Sequence, residues 1–185
     1  GLNNHINRRQ FGNPAITFPE EFVWPTLTFR ESLVQHLGGQ EVQYHAAKGE
    51  TDDHCFVWIP GRGYLFTGDL ILWVAPNCGN PQKVQRYPAE WADALERMAA
   101  LDADWLFPGH GYVVHGREAV RAVLTDTARY LRVIVDQVLA RMNAGETPEV
   151  IFRAAEPDAV PATRPYLRAR YDHPKFGVRN LLRLW

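Results

Sequence analysis

Residues 48–69 read K-G-E-T-D-D-H-C-F-V-W-I-P-G-R-G-Y-L-F-T-G-D, and residues 107–111 read F-P-G-H-G. The first stretch holds two apolar runs, 54–59 and 64–67, separated by the turn Pro60-Gly61-Arg62-Gly63, and a third run, 105–107, leads into the second stretch. Aromatic and β-branched runs bounded by Gly and Pro are strand signals. Glu50 precedes the first run, Asp69 follows the second and His110 follows the third. Each stands beside glycine (Gly49, Gly68, Gly109, Gly111), which lets backbone and polar side chains approach one point closely. Taken singly, an acidic residue before a turn is a solvated cap and a histidine beside glycine is a loop residue. The three in one pattern predict a shared metal centre, with Asp69 as its catalytic residue. Carboxylate and imidazole suit zinc, manganese or iron, and catalytic zinc keeps roughly three protein ligands and an open position. Water bound there becomes a nucleophile near neutral pH.

Upstream, residues 41–45 and 31–37 flank Gly38-Gly39 and predict a β-hairpin. With the two runs of the first stretch this makes four strands joined by short turns, hence a largely antiparallel sheet. Residues 1–28, polar and then punctuated by Pro14, Pro19 and Pro25, read as an irregular segment with at most a short helical turn. Downstream, residues 70–87 are rich in Pro, Asn and Gly and read as a functional loop. Pro88 opens a helix over 89–101, with Trp91, Leu95 and Met98 at helical spacing. Residues 117–143 carry a broad apolar stripe from Val120 to Met142, and Gly145 closes it as a C-cap glycine. Thr147-Pro148 starts a short helix, 157–165 is a linker, and a last helix follows Asp172-His173-Pro174. Strands, then strand–helix–strand, then helices predict an α+β fold with helices packed on sheet.

The 185 residues carry a net charge of −1, which gives a nucleic-acid partner no electrostatic support. The apolar runs fall far short of the ~20 residues of a membrane span. Cys55 and Cys78 match no zinc pattern and read as free buried thiols. Residues 1–9 show no targeting character, which points to a cytoplasmic protein. The chain opens on Gly1 and closes on the apolar run 181–185 without stop signals, so it reads as part of a longer protein.

T-G-D-L after one strand, followed about forty residues later by F-P-G-H-G after another, resembles the second half of the metallo-β-lactamase fold. The resemblance implies that Asp69 bridges two metal ions, zinc in the usual case, and that His110 binds the second. Glu50 stands where the family usually has a histidine; a glutamate there resembles the alkyl sulfatase branch, although Asp69 is the more lactamase-like residue. Residues 166–185, Y-L-R-A-R-Y-D-H-P-K-F-G-V-R-N-L-L-R-L-W, resemble the start of that branch's helical dimerisation region and imply a homodimer. The implied architecture is the C-terminal half of an αββα sandwich followed by a helical region. Its parts are an irregular segment at 1–28, a partial metallo-β-lactamase-like domain at 29–116 and the helical region at 117–185. Half a sandwich leaves an apolar sheet face exposed.

The family's H-x-H-x-D-H motif is absent, since the histidines stand at 5, 36, 45, 54, 110, 115 and 173. The first metal then keeps Glu50 and Asp69, and the second keeps Asp69 and His110. Asp52, Asp53 and His54 are candidates to orient these ligands, or form a charged turn. Trp73, Asn77, Asn80, Lys83 and Arg86 are candidates for a wall facing an anionic substrate, or a solvated surface. His45 and His115 read as structural or exposed. The main functional expectation is a metal-dependent hydrolase segment acting on a small-molecule ester, with sulfate esters ahead of thioesters and lactones. The alternative is a non-catalytic interaction or dimerisation module that lacks a complete site.

Overall fold

The computed structural model describes residues 2–19, 21–78, 84–156, 164–171 and 173–185. One sheet runs in the order β1-β2-β3-β4-β5-β6. β1 (Ser32–Leu37) and β2 (Gln40–Ala46) form the expected hairpin, with Leu37 opposite Gln40. Gly38 and Gly39 have φ of 57° and 77°, the positive pair that a two-residue hairpin turn compatible with strand twist requires. β3 (Cys55–Ile59) pairs antiparallel with β2 and with β4 (Tyr64–Gly68). Between β3 and β4, Pro60–Arg62 makes a 3₁₀ turn. β5 (Trp105–Pro108) is parallel to β4, a pairing that needs a crossover, which α2 (Pro88–Ala99) supplies. β6 (Val114–His115) closes the sheet antiparallel to β5.

Strand alternation sorts the side chains onto two faces. Phe56, Trp58, Leu65, Thr67 and Leu106 are buried on one face. They join Trp91, Leu95 and Met98 of α2 and the stripe of α3 (Arg117–Asn143) in one core, which continues to Val178 and Leu181 of α5 (Lys175–Leu184). The opposite face carries Leu33, Tyr44, Val57, Tyr64, Phe66, Trp105 and Phe107, none of them fully buried. There Phe107 stacks on Phe66 at 4.6 Å and on Trp105 at 6.4 Å between ring centroids.

α3 has the bounds its apolar period predicts, and Gly145 beyond it has φ 77°. α4 (Pro148–Ala154) follows Thr147, whose side chain makes no capping bond. Both cysteines are free; Cys78 is buried as expected, whereas Cys55, at the start of β3, is only half-buried. No helix among the described residues is long and apolar enough to cross a membrane.

Residues 1–28 need a correction, because α1 (Leu2–Phe11) is a ten-residue helix and more than a short turn. It has no apolar stripe, so hydrophobic period gives no signal for it. Its last turn holds Arg8 and Arg9, which suit the negative end of a helix. The chain then folds back: Arg8 Nε donates to the Ile16 carbonyl at 2.7 Å and the Phe18 amide donates to Asn4 Oδ1 at 2.6 Å. β6 is unforeseen, two residues being too short for a pattern. The loop after β4 is irregular as expected, yet Leu70, Ile71, Ala75 and Cys78 in it are buried. Of the expected linker, 157–163 lies outside the described residues, and Pro165–Leu167 forms a 3₁₀ turn.

Candidate metal centre

The topology fixes where three loops meet. Because β3 runs antiparallel to β4 while β5 runs parallel to it, the start of β3 and the ends of β4 and β5 share one edge of the sheet. Glu50 lies in the loop entering β3, Asp69 directly after β4, and His110 directly after β5. The loops at Gly68 and Gly109 touch through backbone: the Gly109 amide donates to the Gly68 carbonyl at 2.5 Å. A Cβ on Gly109 would overlap Asp69 Oδ1 and the Gly68 carbonyl, so only glycine allows this approach.

Asp69 is central. His110 Nε2 lies 3.6 Å from its Oδ1, and the Asp69 side chain is near enough to Glu50 to raise its carboxyl through charge and hydrogen bonding. Two neighbouring carboxylates require a proton or a cation between or beside them. The chain supplies a cation in Arg86, whose Nη1 contacts Glu50 Oε1. Burial pushes the Glu50 carboxyl above its ordinary value; Arg86 opposes the rise, and the hydrogen bond and charge of Asp69 add to it. His110 is well exposed, with 70% of its side-chain surface accessible, so the centre opens to solvent on that side.

The remaining candidates are spread out. His54 is half-buried and its Nε2 is 3.1 Å from the Thr67 carbonyl, which places the ring under the Gly68 turn. Asp53 accepts a hydrogen bond from Thr51 Oγ1 at 2.7 Å and, like Asp52, is exposed in the loop. Arg86 is only 6% exposed and points inward; Nη1 also donates to the Asn77 carbonyl at 2.8 Å. Asn80 and Lys83 lie outside the described residues. His45 stacks on Phe56 at 4.9 Å, and burial, then the Arg97 charge, lowers its pKa. His115 stacks on Trp105 at 4.0 Å.

Residues 11–110 match the family model of the metallo-beta-lactamase superfamily, which spans more than half of the chain. The chain belongs to the metallo-β-lactamase superfamily. It is alkyl sulfatase-like: it is 32% identical over 165 residues to a linear primary-alkylsulfatase from Pseudomonas sp. (strain ATCC 19151), a match covering 86% of this chain and 31% of that protein. A hydroxyacylglutathione hydrolase from Rhodobacter capsulatus is 35% identical over 139 residues, covering 74% of this chain and 50% of the relative. The stereoselective inverting sec-alkylsulfatase Pisa1 from Pseudomonas sp. has the same fold, with a TM-score of 0.75 at 21% identity, covering 86% of this chain and 26% of that one. The chain thus spans from about a third to half of the length of these curated relatives.

Metallo-β-lactamase superfamily proteins generally bind divalent metals, often zinc. The donor set in this member suits such an ion in kind, with two neighbouring carboxylates and an imidazole at strand ends. The three do not close on one ion: among the described residues no group of three or more His, Cys, Asp or Glu could hold a metal.

Several contacts around Glu50, Asp69 and His110 give no sequence signal, including those of Trp73, expected only as a candidate for a substrate-facing wall. Trp91 Nε1 donates to the Leu70 carbonyl at 3.0 Å, fixing the start of the loop after Asp69. Trp73 has φ 56°, donates through Nε1 to the Tyr112 carbonyl at 2.6 Å and packs edge-on against Tyr112 and Tyr166. A Cβ on Gly111 would overlap the Trp73 ring, which accounts for the second glycine of P-G-H-G. From beyond α3, the Arg168 carbonyl accepts the Ala75 amide at 3.1 Å, and Asn180 Nδ2 donates to the Arg86 carbonyl at 2.7 Å. The site loop is held from the C-terminal helices.

Proposed function

We propose that this chain contributes Glu50, Asp69 and His110 to a two-metal hydrolytic centre, and that the protein hydrolyses a small-molecule sulfate ester. The observation carrying the reading is the position of Asp69, which neighbours Glu50 and lies 3.6 Å from His110. Glu50 and Asp69 would hold one ion, and Asp69 and His110 the other. Such ions, when bound, supply Lewis acidity and lower the pKa of water. The chain's own residues orient and shield: Gly109 brings the His110 loop against Asp69, Arg86 holds one oxygen of Glu50, and exposed His110 marks the side open to substrate.

Sulfate ester is preferred because the alkylsulfatase match covers more of this chain than the hydroxyacylglutathione hydrolase match does. In the full-length protein, Asp69→Ala is expected to abolish metal-dependent hydrolysis of an alkyl sulfate. Unchanged turnover in that variant would rule the mechanism out, and turnover of acyl thioesters in preference to alkyl sulfates would replace the substrate.

A second reading rests on the missing third ligand: the 185-residue chain alone is a non-catalytic module. Elemental analysis after zinc loading and dialysis separates the two. One or two retained ions per chain make the site self-sufficient, and none favours the module.

A further inference from the structure

Arg86 sits in a setting unusual for an arginine on an irregular loop. It is 6% exposed, its Nη1 is committed to Glu50 and to the Asn77 carbonyl, and its Nε is buried with no hydrogen-bond partner among the described residues. A buried guanidinium with one unsatisfied donor costs stability. Something must hold it. The holding comes from α5. Asn180, itself 5% exposed, donates from Nδ2 to the Arg86 carbonyl, and Gln85 Nε2 donates to the carbonyls of both Arg86 (2.8 Å) and Asn180 (3.1 Å). Arg183 completes the clasp, with Nε on Gln85 Oε1 at 2.9 Å and Nη2 on Asn180 Oδ1 at 3.2 Å. Close packing brings α5 to this place: a Cβ on Gly177 would lie 3.3 Å from Cys78 Cβ and 3.8 Å from Ile134 of α3.

We propose that α5 sets the metal affinity of the Glu50–Asp69 site, with Asn180 and Arg86 as positioning residues: Asn180 pins the Arg86 backbone, and Arg86 pins one oxygen of Glu50. This rests on the metal-centre reading above. A ligating carboxylate is oriented by the hydrogen bond on its other oxygen, and losing such a partner typically costs ~10- to 100-fold in metal affinity. Asn180 acts one step further out, through main chain, so its effect is smaller and passes through Arg86.

The test is zinc affinity of the full-length protein by competition with a chromophoric chelator, alongside the visible spectrum of the cobalt(II)-loaded form. Arg86→Met is expected to weaken zinc about 10- to 100-fold and shift the cobalt bands, with partial recovery in Arg86→Lys. Asn180→Leu should weaken zinc several-fold, and Arg86→Met with Asn180→Leu should bind no worse than Arg86→Met alone. If Asn180→Leu fails to fold by circular dichroism, Arg183→Gln, an exposed substitution that removes the bond orienting Asn180, is read instead and should weaken zinc in the same direction. Full affinity in the α5 variants, or additive losses in the double variant, overturns the role of α5. A wild-type protein that binds no zinc fails differently, because it removes the metal-centre reading and this inference with it.

Discussion

Gly109 and Gly145 are both glycines by necessity, for different reasons. At Gly109 a side chain would strike Asp69 and the Gly68 carbonyl; at Gly145 there is open space and the constraint is φ 77°. Gly145→Ala should therefore cost the ~1–2 kcal/mol of a left-handed residue and leave the site intact. Gly109→Ala should destabilise by more than the ~0.4–1 kcal/mol that a sterically compatible Gly→Ala replacement gains, and also separate His110 from Asp69. Urea unfolding paired with zinc retention checks both, and equal stability and zinc binding in Gly109→Ala and wild type would contradict the close approach. Glu50, Asp69 and His110 were legible as a group because strand ends and glycines are local signals. Arg86 was legible only as a candidate for a substrate-facing wall or a solvated surface. Its burial and its hold on Glu50 were not, because Glu50 and Asn180 lie 36 positions before and 94 after it.

Among the elements, α3 opens on Arg117, a cation at the positive end of its dipole, beside Glu118, which suits that end. Asp104 and Asp102 compensate: Arg117 Nε donates to Asp104 Oδ1 at 2.7 Å, and Arg121 Nη2 to Asp102 Oδ1 at 2.6 Å. The hydrogen bond from Arg117 holds the Asp104 carboxyl below its ordinary value. A depressed folded value means that folding favours the carboxylate. The contribution is present above the unfolded value of about 3.9 and is lost as pH falls through the lower folded value. Asp104→Asn should remove that part of the acid-induced fall in melting temperature, and a fall of the same size in the variant would show that the pair contributes nothing. Both are exposed, so the effect is small. α2 and α3 were readable from period and turn chemistry. α1 and β6 were not, one having no apolar stripe and the other only two residues.

At the scale of the whole molecule, the sheet has unequal sides. One is sealed by α2 and α3, while the other presents Tyr64, Phe66, Trp105 and Phe107 side by side, with Phe66 37% exposed. Contiguous exposed aromatic surface of this kind drives association. The 185-residue chain studied alone should show concentration-dependent self-association by sedimentation velocity, and Phe66→Lys should reduce it without lowering the melting temperature. An unchanged association in the variant would move the contact elsewhere. That face was expected from the half-sandwich that the family resemblance implies. The hold of the C-terminal helices on the site loop was not, because hydrogen bonds between residues 94 and 95 positions apart leave no local pattern. Those same bonds order events in time. The hairpin and the β4–α2–β5 unit close short loops, but the Arg86 loop is fixed only when α5 arrives, after the largest loop-closure cost has been met. A chain emerging from the ribosome will thus have a finished sheet well before the loop that carries Arg86 to Glu50 is fixed.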